Sequence, residues 1–279
     1  MIAGCKTSSP EIRPGYLSIP DHYPVHFSID MLQMQDVCTK VLTESDLPET
    51  LLKKICNAQR MWGGASRTQY SVILEGTGSS FLLGLGLTLS SSWKQIENCD
   101  YWKNEVGQEI VSFGNKIYYS NGDMDSLMEL DRPTGKIPVT PVSLSKGEIL
   151  SNGAMVICGE GVESIEEFLP RIGLANLTSW YLTINRTAYD YVGEIVFTLE
   201  NDNVARVLKT ALKLILIPYR SNNELMTAVQ TAEQNILESL SLAEIDSVEN
   251  RVIITGIIIT KEEMVNMIKS FLIQENKGE

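Results

Sequence analysis

Histidine is almost missing from this chain of 279 residues: His22 and His26 are the only two, and none follows between Phe27 and Glu279. Imidazole is the side chain that titrates near neutrality and the commonest acid–base group and metal ligand. Its scarcity excludes most histidine-dependent active sites from the body of the protein. No Gly-x-Ser-x-Gly occurs, and a serine nucleophile would have to take its base from His22 or His26. Cysteine is equally sparse. Cys5, Cys38, Cys56, Cys99 and Cys158 are odd in number, far apart and without a Cys-x-x-Cys pair. That pattern argues against a zinc ribbon or a disulfide-built scaffold and predicts a reducing, cytoplasmic setting.

Basic charge is also short. Lys and Arg number 23 against 35 Asp and Glu, for a net charge of −12. Up to residue 140 there are 12 basic and 16 acidic side chains, and beyond it 11 and 19, so both halves are acidic. The broad basic footprint that gives nucleic-acid binders their affinity is absent. Long apolar runs are absent as well. Phe81–Leu89 and Val252–Ile259 fall short of the roughly 18 residues a membrane span needs, so the sequence predicts no transmembrane segment. No charged segment followed by an apolar one opens the chain, which predicts no secretory leader.

What is present is an ordinary globular composition, 43% apolar and 21% charged, in a chain long enough for one large domain or two. The patterning predicts a mixed α+β fold: an antiparallel, β-rich N-terminal half, then strands alternating with capped amphipathic helices. Residues 1–20, with Pro10, Pro14 and Pro20, read as a flexible arm. Residues 21–140 read as a β-rich unit and 141–279 as an α/β unit. Val25 to Asp30 alternates as a half-buried edge strand, with His26, Ser28 and Asp30 on its wet face. A helix is expected near Pro48, capped by Asp46. Tyr70–Leu74 and Phe81–Leu89 read as one hairpin. Ile110–Phe113 and Lys116–Tyr119 read as another, closed by the two-residue turn Gly114-Asn115.

In the second half, Ala154–Cys158, Trp180–Ile184, Glu194–Leu199 and Arg251–Ile259 read as strands, the last covered on both sides. Ser164 with Glu167, Ser221 with Glu224 and Thr260 with Glu263 have capping-box spacing. Asn201 or Asp202 should cap a helix that ends by Ile217, because Pro218 follows. At 100° per residue, that helix gathers Val204, Val207, Leu208, Ala211, Leu212 and Ile215 on one side. Arg206, Lys209 and Lys213 fall opposite, with Arg220 just beyond: a concentrated basic face in an acidic protein. Such a face suits an acidic protein partner, anionic lipid or RNA.

Two further clusters bear on chemistry. Asp123-Met124-Asp125 follows a strand, and paired carboxylates in such a place hold divalent cations for phosphoryl or glycosyl transfer. The EF-hand pattern fails there, since Ser126 stands where its glycine belongs and Arg132 where its glutamate belongs. His22 and His26, four apart in an extended segment, share one side and are a second candidate for a metal or acid–base centre, with Asp21 placed to orient His22 and Asp30 on the His26 face. Pro24 forbids the helical version of that spacing. Cys158-Gly159-Glu160-Gly161 opens a helix but carries glutamates where a phosphate site needs cations. The sequence calls for no cofactor. Its leading functional expectation is a non-enzymatic interaction or self-assembling structural protein, of the sort viruses use. The alternative is a divalent-metal, carboxylate-dependent enzyme centred on Asp123 and Asp125.

Overall fold

The computed structural model describes residues 14–43, 57–76, 87–88, 92–96, 100–132, 135, 137–168, 176–221 and 239–266. The strands among them are β1 (Val25–Asp30), β2 (Arg60–Ala65), β3 (Tyr70–Glu75), β4 (Trp93–Gln95), β5 (Trp102–Asn104) and β6 (Glu109–Phe113). They continue with β7 (Lys116–Ser120), β8 (Met155–Glu160), β9 (Leu177–Arg186), β10 (Tyr191–Leu199), β11 (Glu244–Val248) and β12 (Arg251–Ile259). All twelve form one sheet in the order β11-β12-β10-β9-β8-β1-β2-β3-β7-β6-β5-β4. Every pairing is antiparallel. The helices are α1 (Gln35–Thr43), α2 (Met124–Asp131), α3 (Leu144–Leu150), α4 (Gly161–Phe168) and α5 (Asp202–Ser221). This is the mixed α+β architecture that the patterning predicts.

The two faces of the sheet differ. On the major face, α1, α4 and α5 bury Val37, Ile165, Ala205 and Leu216 against residues from across the sheet, such as Val25, Ile117, Ile184 and Ile254. On the minor face, a 3-10 turn at Gly15–Ser18, α2 and α3 cover part of the sheet. There Ile19, Leu127 and Leu150 pack on Trp62, Ile73, Tyr118 and Val156. Cross-strand rows make the difference explicit. On the major face the register runs Ile117, Leu74, Met61, Ile29, Met155, Ile184, Gly193, Ile257. Each is buried except the half-buried Met61. On the minor face it runs Val111, Tyr118, Ile73, Trp62, Ser28, Val156, Thr183, Glu194, Thr255, Glu244. The first six are buried, the next three half-buried and Glu244 exposed. The cover ends between β8 and β9.

Several expectations change at this level. β1 has the expected bounds but is a central strand, paired with β2 on one side and β8 on the other. The alternation misled because two of its polar residues, His26 and Ser28, are buried: the Ser28 hydroxyl donates to the Leu150 carbonyl and His26 Nε2 to that of Pro20. Residues 14–20 belong to the folded body rather than to an arm, with Ser18 and Ile19 buried. β3 pairs with β2 on one side and β7 on the other, so both its edges are taken; of the expected hairpin partner, Leu87 and Thr88 are helical and the rest lies outside the described residues. Ser164 lies inside α4, donating to the Gly161 carbonyl and accepting from Trp180 Nε1, so it is not the cap. α5 runs through Pro218 to Ser221. A proline removes one donor and crowds the carbonyl four residues back, here that of the solvent-exposed Leu214, where water can take up the freed acceptor. The minor face of β12 is open, leaving Ile258 49% exposed. The helix expected near Pro48 and the one starting at Ser221–Glu224 lie outside the described residues.

Other local signals are realised. β6 and β7 close through Gly114-Asn115, with Phe113 opposite Lys116 and Gly114 at φ +59°. Asn201 Oδ1 accepts from the backbone N–H of Asn203 and Val204 at 3.1 Å each, capping α5. Thr260 and Glu263 form a reciprocal box that starts the helix at 261–266: Glu263 N donates to Thr260 Oγ1 at 3.3 Å and Thr260 N to Glu263 Oε2 at 2.7 Å.

Candidate functional site

The histidines are separated by their surroundings, not by distance along the chain. His26, central in β1, is fully buried, and Nε2 donates to the Pro20 carbonyl at 3.1 Å. Nδ1 is left without a partner. Burial, reinforced by the Lys146 ammonium, holds its pKa down at about 4. His22 is half exposed, and its Nε2 lies 3.4 Å from Asp123 Oδ2. Asp123 is thus within reach of one of the two imidazoles. Its Oδ2 already accepts from the Tyr23 hydroxyl at 2.6 Å, and its backbone N–H donates to Ser120 Oγ. Burial and that carboxylate push the Tyr23 phenol well above its ordinary range. Asp125, in the first turn of α2, points to solvent. Among the described residues no three of His, Cys, Asp and Glu gather as metal ligands. His22, Asp123, Asp125 and His26 do not form one centre. Asp123 works as a polar tie between Tyr23 and the β7–α2 turn.

The register supplies a pairing that the sequence hides: His26 stands opposite Cys158 on β8. Burial pushes the Cys158 thiol up to about 12, against a partial pull from Lys146. A catalytic pair needs a lowered thiol and a basic imidazole. Here both are displaced toward their neutral forms, the opposite of that arrangement. Lys146 itself is held by Asp21 at 2.8 Å and Glu160 at 3.0 Å.

α5 is the remaining candidate, and it is turned relative to expectation. Ala205 and Leu216 are buried, with Val204, Leu208 and Leu212 packed beside them on the core. Ala205 has the smallest side chain on this face and lets the helix approach the sheet closely. Val207 and Ile215, expected on the buried side, stand 69% and 58% exposed, and Leu214 61%. With Ala211, also exposed, these three fall within about 100° of the helix circumference. Lys209, expected on a free basic face, turns toward β11 and pairs with Asp246 at 2.6 Å. Arg206 and Lys213 are exposed beside the apolar stripe. Arg220 falls within α5, where only the backbone is described. The exposed face is therefore aliphatic, with its cations along one side only. The signal was present in the sequence: a helix with aliphatic residues over more than half its circumference cannot bury them all against one sheet.

No helix among the described residues is long and apolar enough to cross a membrane. No family model and no curated protein matches the chain. Solved structures of TP0453 do resemble it. Crystal form III matches with a TM-score of 0.66 at 13% identity, covering 94% of this chain and all of that one. Crystal form I gives 0.62 at 12%, covering 92% and 97%, and crystal form IV 0.62 at 12%, covering 91% and 96%. At such identities the likeness is one of fold.

Proposed function

We propose that this protein carries out no chemistry of its own and is an intracellular interaction protein that self-associates through the exposed face of α5. The observation behind this reading is the aliphatic stripe of Val207, Leu214 and Ile215 standing in water on a helix whose other side is already packed. Contiguous exposed apolar surface of that kind is characteristic of a docking face. Charge favours a second copy as the occupant. Arg206 and Lys213 line one side of the stripe, beyond Leu214, while the chain carries a net charge of −12 and exposes Glu244 and Glu249 around β11. The same acidity disfavours anionic lipid and RNA, the other surfaces a cationic helix would suit. The buried free thiols of Cys38 and Cys158 fit a reducing compartment. A metal enzyme built on Asp123 and Asp125 has less in its favour, because Asp123 is engaged by Tyr23 and Asp125 faces away.

Light scattering at two protein and two salt concentrations tests this. The expected result is a mass that rises above the 31.0 kDa of one chain with concentration, and returns to it in a Val207→Glu, Leu214→Glu, Ile215→Glu variant. A concentration-independent mass of one chain overturns the proposal. So does flotation of the monomer with phosphatidylcholine–phosphatidylglycerol vesicles that the triple variant loses.

A further inference from the structure

Where the cover of the minor face ends, the structure forms a cleft of about 650 Å³. One wall is the end of α3 and the following turn, with Ile149 and Asn152. The floor is Asp30 and Arg60. The far wall is the minor face of β9 and β10, presenting Tyr181, Thr183, Asn185 and Glu194. These four follow from the fold: Tyr181, Thr183 and Asn185 alternate along β9, and Glu194 is Thr183's partner on β10.

The polar groups of the cleft divide into two sets. The floor is satisfied. Arg60 donates to the carbonyls of Leu150 at 3.3 Å and Gly153 at 3.1 Å, and reaches Asp30 Oδ2 at 3.5 Å. Asp30 also accepts from Gln33 Nε2 and from the N–H groups of Leu32 and Gln33. This rigid, internally neutralised floor has little left to offer a ligand. The wall is different. Among the described residues, Thr183, Asn185, Glu194 and the Tyr181 hydroxyl make no hydrogen bond or ion pair, although each is less exposed than a free surface residue except Asn185. The wall thus offers a hydroxyl, an amide, a phenol with its ring face and an unpaired carboxylate, with Ile149 as the apolar element opposite.

We infer that this cleft is a binding site for a small saccharide. Sugar hydroxyls are paired donors and acceptors that match Thr183, Asn185 and a carboxylate accepting from two adjacent hydroxyls, and the ring's C–H face packs on Tyr181. The charge pattern fixes a preference. Asp30 and Arg60 cancel, so Glu194 is the net charge among the lining side chains. Arg251 also acts on Tyr181, in the opposite sense to Glu194, but from outside the lining. Amino sugars therefore bind better than neutral ones, and neutral ones better than acidic ones. The site lies on the face of the sheet opposite α5, so its occupancy and self-association through α5 are read independently.

Saturation-transfer difference NMR with glucosamine, glucose and glucuronate, each at about 10 mM, registers dissociation constants of millimolar order. Transfer is expected from glucosamine and glucose in that order. Glu194→Gln should weaken glucosamine by about tenfold, the loss of one charge-assisted hydrogen bond, and erase its advantage over glucose. Asn185→Ala should weaken both sugars. Far-ultraviolet circular dichroism confirms that each variant is folded, and both positions lie on the open face where substitution leaves the core intact. Absence of transfer from all three sugars overturns the inference. So does glucuronate binding as well as glucosamine, or binding unchanged in both folded variants.

Discussion

The covered and open halves of the minor sheet face share one backbone lattice and one set of registers, yet they are built from opposite chemistry. In the row from Val111 to Val156 every residue is buried, and its one small polar side chain, Ser28, donates to the Leu150 carbonyl, while Trp62 Nε1 donates to Glu75 Oε2 at 2.9 Å. In its continuation, Thr183, Glu194, Thr255 and Glu244, β propensity is kept by the threonines while burial is given up. Burial on this face therefore depends on which segments pack over it, the 3-10 turn, α2 and α3, and not on the sheet itself. The covered half holds the stability, and the open half holds the unspent hydrogen-bonding groups.

The largest test of that contrast is within the row. Trp62→Ala should cost about 3–5 kcal/mol of unfolding free energy in urea, while Thr255→Ala should stay within about 0.5 kcal/mol. Comparable losses would remove the distinction. Acid comes next. His26 titrates near 4 in the folded protein and near 6.5 unfolded. The unfolded state therefore binds the extra proton first. Stability is unaffected above about pH 6.5 and falls as pH drops toward 4, by on the order of 3 kcal/mol. His26→Gln should remove that increment from the pH profile of the melting temperature, whatever its baseline. Removal of His22, which is half exposed, should leave the increment in place.

Backbone approach gives a smaller effect. A methyl added at Gly64, on the covered side, would overlap the Tyr23 ring. Gly64→Ala should cost about 1–3 kcal/mol. Gly193→Ala in β10 meets Ile259 Cδ1 only at 3.4 Å and should cost less, as compared by denaturant midpoints. Smallest of all is Lys209→Ala, which loses one exposed ion pair to Asp246. Its shift should shrink further in high salt.

The parts legible in sequence were those decided within a few residues. Gly114-Asn115 specifies the β6–β7 turn, Asn201 the start of α5, and Thr260 with Glu263 the start of 261–266. Strands β8, β9, β10 and β12 announce themselves by β-branched runs. β2 escaped because Trp62-Gly63-Gly64 reads as a loop until Phe27 and Tyr23 are seen lying over the two glycines. The central position of β1, the His26–Cys158 pairing and the cleft all depend on contacts between distant segments, which no local period encodes. The aliphatic excess of α5 was visible, but which side faced the sheet was not. That side is set by Ala205 and Leu216 meeting β10–β12.

The double pairing of β1 also bears on how the chain is made. Val25 meets Gly159, a separation of about 130 residues. Until β8 has left the ribosome, one edge of β1 has its N–H and C=O groups bare, beside a nascent β2–β3 hairpin that can already form. Synthesis thus passes through an interval with an unfinished sheet edge in its middle, the sort of edge that recruits strands from other chains. That edge is closed only by the late arrival of six residues, Met155–Glu160.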